Sequence, residues 1–125
     1  MMTSDKPAPN FEQWEVCQAK WQHEDGTEKD RPVLVLSSTK TCRNQQQIWV
    51  AKFTKTNRDV PFKIQFCKTD ASFAATGLTA DCFLYIHECR QIDKSLLLYH
   101  RGQLGLLSAA LIAWQVKQAL KFPIP

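Results

Sequence analysis

The sequence predicts a mainly β domain in which five or six short strands form a small barrel or curled sheet, closed by one C-terminal α-helix. Three observations lead to this fold class. Short apolar segments alternate with polar loops along most of the chain. Residues 62–66 alternate strictly between apolar and polar side chains, as a strand with one buried face does. From about residue 106 to residue 121 the pattern becomes helical, and Pro123 and Pro125 end it.

The strands are predicted from short apolar or alternating runs. Residues 33–36, Val-Leu-Val-Leu, are continuously apolar and rich in β-branched side chains, which indicates a buried strand. The alternation in residues 11–21 slips near Cys17, and such a slip indicates a β-bulge. The predicted strands are residues 11–21, 33–36, 48–53, 62–66 and 82–89, and residues 92–100 form either a last short strand or a helical turn. Residues 22–30, 37–47 and 54–61 are polar connections.

The C-terminal helix is expected to cover the open side of the sheet. Its apolar side chains recur at helical spacing, which indicates a broad apolar face. That face consists of Leu107, Leu111, Ile112, Trp114, Val116 and Leu120.

Length and composition indicate one ordinary globular domain. With 125 residues the chain can bury a core without metal or disulfide staples, and we assign residues 11–125 to that domain. Residues 1–10 are polar and Pro-containing, and we expect a disordered arm there. No apolar run reaches the roughly 20 residues of a membrane span, and the N-terminus lacks a secretory h-region. We therefore expect a cytoplasmic protein that does not bind membranes.

Charge is divided unevenly along the chain. Residues 1–30 hold 3 Lys and Arg against 7 Asp and Glu, a balance of −4, whereas residues 31–125 hold 13 against 5, a balance of +8. A folded body with this excess attracts polyanions, so nucleic acid is a candidate partner. A merely soluble basic protein would have the same charge.

The five cysteines do not predict a metal site. They are widely spaced, and no CxxC pair is present. We expect reduced, mostly buried thiols and no metal or other cofactor.

An Arg–Pro pair, Arg31 and Pro32, stands directly before the apolar run of residues 33–36. Proline lacks an N–H and has a fixed φ, so it suits the first residue of a strand. It also biases Arg31 to an extended conformation, which would hold the guanidinium at the end of a rigid core strand. The alternative is an arginine that caps a sheet edge or pairs with Glu28 or Asp30.

Read together, four segments resemble the PemK/MazF family of toxin endoribonucleases. They occur in the family's order and span residues 12–121. They are Trp14-Glu15-Val16 with the loop Asp25-Gly26-Thr27-Glu28 and the Arg31-Pro32 signature; Val50-Ala51-Lys52-Phe53-Thr54 followed by Pro61-Phe62; Gly77-Leu78 with the segment from Cys82 through Arg90-Gln91-Ile92-Asp93-Lys94; and Gly102-Gln103-Leu104 before the helix.

This resemblance implies an SH3-like barrel of the PemK/MazF/CcdB type, which is usually a homodimer. It implies metal-independent cleavage of single-stranded RNA, and inhibition by a cognate antitoxin whose disordered tail occupies the RNA groove. It makes Arg31 and Thr54 catalytic. Where many relatives have an aspartate on the fifth strand this chain has His87, and Tyr85 stands where some have a basic residue.

Cleavage of RNA without a metal needs a base for the 2′-hydroxyl proton, a cation for the phosphorane and an acid for the leaving 5′-oxygen. Arg31 suits the cation, because a guanidinium can hold two phosphate oxygens at once. Thr54 would orient the phosphate, although it could be only a strand-end threonine. His87 is a candidate general acid or base in place of the aspartate, or a structural histidine next to Glu88.

RNA-binding side chains are expected around the loop of residues 54–61 and in the first loop. Cationic and amide side chains there could contact phosphates, which would make affinity fall with salt. The candidates are His23, which is also a second candidate for acid–base catalysis, Lys55, Asn57, Arg58 and Lys63. Trp21 and Phe62 are candidate stacking surfaces for bases, with core packing as the default for both.

A second function is compatible with the same barrel. The chain could be a non-catalytic protein that binds a protein target, as gyrase poisons do, or a degenerate nucleic-acid-binding relative. Its C-terminal segment, residues 111–125, does not resemble that of gyrase poisons, and both Arg31 and Thr54 are retained, which favours the enzyme.

Overall fold

The computed structural model describes residues 11–23, 25–120 and 124–125, so the predicted N-terminal arm lies outside the described residues. Within the described part, antiparallel strands form one curled sheet, followed by a C-terminal helix. The strands are β1 Glu15–Gln22, β2 Glu28–Val35, β3 Gln47–Thr54, β4 Lys63–Phe66, β5 Cys82–Tyr85, β6 Arg90–Asp93 and β7 Leu97–Gln103, and the helices are α1 Thr39–Asn44 and α2 Leu106–Ala119.

Strand β3 lies in the middle of the sheet and pairs with three other strands. The strand order is β4-β5-β3-β2-β1-β7, and β6 also pairs with β3. Along one edge β3 pairs with β2, at Val50–Lys52. Along the other edge it pairs first with β6 and then, through Phe53 and Thr54, with β5. The change of partner curls the sheet and places the end of β3 at a rim.

The core lies on both faces of β2. Val33 and Val35 pack into one buried cluster, and Leu34 and Leu36 pack into the other. All four side chains are buried, and full burial of an aliphatic side chain contributes about 1.5–3 kcal/mol. The prediction of a buried strand is therefore confirmed for residues 33–35, and Leu36, one residue past the end of β2, is buried as well.

The boundaries of β2 differ from the prediction. The strand begins at Glu28, so Pro32 is an interior residue and not the first one, and the predicted loop of residues 22–30 is much shorter. Pro32 is tolerated because the β2–β3 pairing ends at Val33, so that β2 has only β1 as a neighbour at this position.

Two further segments differ from the prediction. The strand expected at residues 82–89 is interrupted after Tyr85 by a 3₁₀ turn, Ile86–Glu88, and the chain resumes pairing as β6. His87 therefore lies in a turn and not on a strand. The polar connection before β3 contains α1, whose N-cap Ser38 accepts a hydrogen bond from the N–H of Thr41 at 3.2 Å.

The predicted bulge near Cys17 is confirmed. The β1–β7 ladder changes register between Val16 and Cys17 and again between Gln18 and Ala19. The segment 92–100, for which the sequence left a strand or a helical turn open, contains both. A 3₁₀ turn, Lys94–Leu96, leads into β7.

Helix α2 buries only part of its predicted apolar face. Ile112 is buried, but Leu107, Leu111 and Trp114 are exposed, because the sheet covers one side of the helix only. Leu106 and Leu107 are each 88% exposed. Among the described residues, no helix has the length and apolar character needed to cross a bilayer.

Candidate functional site

A cleft opens where β2 and β3 stop pairing. The ladder between them ends at Val33 and Lys52, and the next residues of β3 pair with β5 instead. Continued by two residues, the same register would place Arg31 opposite Thr54. Both side chains line one open cavity of about 380 Å³, called the first cavity below. The structure therefore brings together the two residues that the sequence placed at the centre of the site.

The first cavity is lined by cations and by no acid. Arg31 lies within β2, just beyond the point where its pairing with β3 ends, Lys55 follows the end of β3, and Arg101 comes from β7. The remaining lining residues are Pro32, Phe53, Thr54, Thr56, Leu78, Thr79, Ala80 and Cys82. The potential in this cavity is therefore positive, as an anionic ligand requires.

Arg31 is partly buried as a residue, and its guanidinium carries an uncompensated charge. Its Nη1 donates to the main-chain carbonyl oxygen of Asp30 at 3.2 Å. Within residues 11–23 and 25–120 it forms no ion pair, so the pairing with the side chain of Glu28 or Asp30 that the sequence left open is absent there. A guanidinium held on a strand without a carboxylate keeps its donors for a ligand.

Thr54 lies at the junction of two cavities. Its Oγ1 accepts a hydrogen bond from the N–H of Thr56 at 3.2 Å, which orients the hydroxyl. A hydroxyl that accepts in this way still carries one proton to donate. Thr54 can therefore donate to an oxygen of a bound phosphate.

The second cavity, of about 680 Å³, has a mixed lining. Thr54 and Thr56 separate it from the first cavity. Its cations are Lys52, Arg58 and Arg90, its acids are Asp25 and Glu88, and Trp21, His23 and Tyr85 complete the lining. A group with both donors and acceptors, such as a nucleobase, matches this lining better than a bare phosphate does.

Tyr85 fastens the loop after β3 to the sheet. Its hydroxyl donates to the carbonyl oxygen of Thr56 at 2.5 Å and accepts from the N–H of Arg58 at 2.7 Å. The guanidinium of Arg58 also stacks on the Tyr85 ring, 4.3 Å from its centroid. A basic side chain at position 85 could not make both hydrogen bonds, because lysine and arginine only donate. The tyrosine, which the sequence has where some relatives have a basic residue, therefore orders this loop.

Arg58 and Glu88 form an exposed ion pair beside the second cavity. Arg58 Nη2 donates to Glu88 Oε1 at 2.6 Å. The hydrogen bond from Arg58 lowers the pKa of Glu88 below its usual value, and the same bond raises the pKa of Arg58. Glu88 is therefore ionised at neutral pH, and Arg58 is partly neutralised.

Asn57 and Lys63 are paired with each other, outside both cavities. Lys63 Nζ donates to Asn57 Oδ1 at 2.8 Å and lies 5.5 Å from the centroid of the Phe83 ring. Of the four RNA-binding candidates around this loop, only Lys55 and Arg58 line a cavity.

Trp21 supports cations and is not an open stacking surface. It is buried, with the guanidinium of Arg90 4.1 Å and Lys52 Nζ 5.5 Å from the ring centroid. Burial, followed by repulsion from Arg31 and Arg90, lowers the pKa of Lys52. Phe62 lines neither cavity and packs against the core.

The three histidines have different surroundings. His23 lines the second cavity, and its Nε2 is buried without a hydrogen-bond partner among the described residues. His87 is exposed and lines neither cavity, and its Nε2 lies 3.8 Å from Glu88 Oε2. His100 Nδ1 lies 2.9 Å from Glu15 Oε2, away from the site. The structure thus places His23 in the cavity that Thr54 also lines and leaves His87 outside both cavities.

All five cysteines are free thiols. Cys82 lines the first cavity, but burial raises its pKa to about 11, so it is a protonated thiol and not a nucleophile at neutral pH. In the part of the chain that the structure describes, no three His, Cys, Asp or Glu side chains cluster as metal ligands would.

Sequence reasoning missed three cations of the site. Lys52 could have been found, because it lies two residues before Thr54 and so shares its face of β3. Like Lys52, Arg90 stands in one of the family's sequence motifs, but the motif alone does not indicate that its side chain lines the site. Arg101 gave no local signal, since β7 joins the cavity only through its pairing with β1.

The fold and the cleft define a small, mainly β domain with a cation-lined cavity that contains no carboxylate. The family model for the PemK-like, MazF-like toxin of type II toxin–antitoxin systems matches residues 12–122. The chain therefore belongs to this toxin family, which confirms the resemblance seen in the sequence. No curated protein sequence matches the chain.

Solved structures of low sequence identity share the fold, which confirms the predicted fold class. The toxin MazF-mt6 of Mycobacterium tuberculosis is similar with a TM-score of 0.69 and 19% identity, over 87% of this chain and 98% of that one. An endoribonuclease from a mycobacterial species, in complex with its cognate antitoxin, gives 0.68 and 18%, over 91% and 98%. A MazE–MazF complex from Deinococcus radiodurans gives 0.71 and 14%, also over 91% and 98%.

Proposed function

We propose that the chain is a type II toxin that acts as a metal-independent endoribonuclease on single-stranded RNA. The first cavity carries the proposal, because Arg31 and Thr54 line one open cleft that contains no carboxylate. An anionic five-coordinate phosphorus would find there a guanidinium without an acidic partner and a hydroxyl donor. Membership of the toxin family supports the same activity, as do the endoribonucleases among the solved structures that share its fold.

The reaction needs only groups that RNA and this chain supply. The 2′-oxygen attacks the adjacent phosphorus and gives up its proton to a base. The bond from phosphorus to the 5′-oxygen then breaks, and that oxygen takes a proton from an acid. The products are a 2′,3′-cyclic phosphate and a 5′-hydroxyl. Arg31 stabilises the charge on the non-bridging oxygens, and one such donor contributes about 10²–10³ in rate, while Thr54 fixes the phosphate.

The geometry favours His23 as the imidazole that transfers a proton. His23 lines the cavity that also contains Thr54, whereas the sequence-based candidate His87 lies outside it. General acid–base catalysis contributes typically 10²–10⁴ in rate. Single-turnover cleavage by His23→Ala and His87→Ala separates the two. Under this proposal only the His23 variant loses rate, and a loss confined to the His87 variant would reverse the assignment.

RNA would lie across both cavities, with Thr54 at their boundary. Lys55 and Arg58 are the loop cations that reach the two cavities. Arg58 must exchange Glu88 for RNA, and the exposure of that ion pair makes the exchange inexpensive. Asn57 and Lys63 would contribute from outside the cavities, through the backbone of a longer RNA.

A cognate antitoxin is the expected protein partner. The balance of +8 over residues 31–125 favours an acidic segment in the cleft, and the similar structures include toxins bound to their antitoxins. We also place the active protein in the cytoplasm, where RNA is available. A small acidic protein encoded beside this chain should neutralise it on co-expression, and continued toxicity would contradict the assignment.

We propose that the exposed apolar side of α2 forms a homodimer interface. Leu107, Leu111 and Trp114 recur at helical spacing and are exposed, as is Leu106 next to them, and exposed apolar side chains grouped in this way are typical of an interaction surface. Leu107→Lys removes apolar surface from this side of α2 without touching the core, so we expect a folded monomer in sedimentation analysis. A dimer that persists with unchanged affinity would place the interface elsewhere.

The function is tested by incubating labelled single-stranded RNA with the protein in EDTA. The wild type should cleave, and Arg31→Gln should cleave about 10²–10³ times more slowly. Arg43→Gln, an exposed substitution on α1 outside both cavities, is the matched control and should cleave like the wild type. Equal cleavage by wild type and Arg31→Gln would contradict the role of Arg31. No cleavage by either would favour the non-catalytic barrel.

A further inference from the structure

Arg101 is a fixed guanidinium with no acidic partner. Its Nη1 donates to Gln18 Oε1 at 2.8 Å, and its Nη2 and Nε donate to the carbonyl oxygen of Gly77 at 2.9 and 3.3 Å. All of these acceptors are neutral, and among the described residues no carboxylate forms an ion pair with Arg101. Three of its five N–H groups are used in this way, which leaves one on each terminal nitrogen.

The fold holds Arg101 in this position through a close backbone contact. Gly77 has φ +70°, and a Cβ there would lie 2.1 Å from the carbonyl oxygen of Arg101. Only glycine lets the turn before β5 approach β7 this closely. The contact brings the carbonyl oxygen of Gly77 within reach of the Arg101 side chain, so the guanidinium is preorganised before any ligand binds.

The two cavities differ in charge. The first cavity has three cations and no acid, whereas the second cavity includes two carboxylates, those of Asp25 and Glu88. Phosphate groups favour a site with cations alone, and a guanidinium binds them with directed donors. The charge pattern therefore separates a phosphate-binding side of the cleft from a side that suits a base.

We infer that Arg101 and Lys55 form a subsite in the first cavity for the phosphate next to the scissile one. The inference rests on the proposed function, in which Arg31 and Thr54 hold the scissile phosphate. RNA then crosses Thr54 with its neighbouring phosphate between Lys55 and Arg101. This subsite binds any nucleotide sequence, because it contacts the backbone and not the bases.

The test measures binding of single-stranded RNA that is 2′-O-methylated throughout and therefore cannot be cleaved. Each phosphate contact on a single strand contributes about 0.7 to the slope of log affinity against log salt. Arg101→Gln and Lys55→Gln should each bind RNA more weakly than the wild type. The ratio of wild-type to variant affinity should be about 2.6 times larger at 50 mM salt than at 200 mM. Arg101→Lys keeps the charge and should keep the wild-type slope, and Arg43→Gln should change neither affinity nor slope.

Several outcomes decide the inference, and thermal unfolding checks that each variant is folded. The inference is wrong if Arg101→Gln and Lys55→Gln lose affinity by the same factor at both salt concentrations. It is also wrong if the control Arg43→Gln loses as much affinity as they do. If Arg101→Gln does not fold, Lys55→Gln and Arg101→Lys still decide, because Lys55 is an exposed side chain. A slope that is smaller by about 0.7 in Lys55→Gln and unchanged from wild type in Arg101→Lys supports the subsite.

Failure of the subsite can be distinguished from failure of the proposed function. If the wild type cleaves RNA but Arg101→Gln and Lys55→Gln keep the wild-type slope of log affinity against log salt, the subsite is wrong and the nuclease assignment stands. If the wild type binds RNA without cleaving it and the two variants show the expected smaller slope, the nuclease assignment is wrong and the phosphate-binding subsite stands. In an active enzyme Arg101→Gln should raise KM and leave kcat at saturating RNA near the wild-type value, since Arg101 does not contact the reacting phosphorus.

Discussion

Replacing Tyr85 by phenylalanine removes the hydroxyl group whose two hydrogen bonds hold the loop after β3 against the sheet. Tyr85 is 3% exposed, and Phe has the same shape, so the core stays filled. The change deletes the hydrogen bond to the carbonyl oxygen of Thr56 at 2.5 Å and the one from the N–H of Arg58 at 2.7 Å. No charge changes, and the ring on which Arg58 stacks is kept.

The expected cost follows from these two bonds. Both are only partly buried, so water can reach the groups left behind and each bond contributes a net of about 1 kcal/mol. The sum of about 2 kcal/mol lowers the melting temperature by roughly 6–10 °C in a domain of this size. Ordering one or two freed loop residues again on binding costs about 1–2 kcal/mol, which weakens RNA binding by about 5- to 30-fold.

The assay compares thermal unfolding and RNA affinity of Tyr85→Phe with those of Tyr99→Phe. Tyr99 is the only other tyrosine, is 56% exposed and lies outside both cavities, so its variant should match the wild type in both measurements. A Tyr85→Phe protein that melts within about 2 °C of the wild type and binds RNA equally well would refute the idea that this hydroxyl orders the loop.

Two other substitutions test the support of the site. Gly77→Ala should destabilise by about 3 kcal/mol or more in urea unfolding, because its Cβ would overlap the backbone of Arg101 at a positive φ. Gly26→Ala, also at positive φ but with nothing within 4 Å, should cost only about 1 kcal/mol, and equal costs would contradict the clash. Glu88→Gln should lower stability slightly at pH 7, because Arg58 lowers the pKa of Glu88 and so favours the folded state when the carboxylate is charged. That difference should vanish as the pH falls below about 4, and its persistence in acid would point to another cause.

The sequence could predict the central strands because their signal is local. A run apolar at four successive positions, as in residues 33–36, needs cover on both faces and becomes a strand in the middle of the sheet. The break after Tyr85 could not be predicted, since residues 82–89 have strand composition throughout. There β3 changes partner from β5 to β6, and the chain turns to follow it.

The site was predictable to the extent that its residues stand close to an apolar run of the sequence and have a motif around them. Arg31 and Thr54 meet both conditions, and they line the same cavity. Arg101 could not be predicted in this way, because its position depends on the register of β7 against β1 and on the close approach of Gly77. The part of the α2 face that is buried likewise depends on the tertiary structure. Periodicity shows that α2 is amphipathic on a broad arc, but not how much of that arc the sheet can cover.

The position of Pro32 explains why the cleft can open without an energetic penalty in the backbone. The N–H of Leu36 donates to the carbonyl oxygen of Trp49 on β3, and backbone groups alternate in direction along a strand. Position 32 therefore faces the edge of β2 from which β3 has departed. Any other residue would leave a backbone donor without a strand partner at the wall of the first cavity, whereas proline has none. The Arg–Pro pair thus combines a cation that lines the first cavity with a residue that needs no backbone partner where β3 stops pairing with β2.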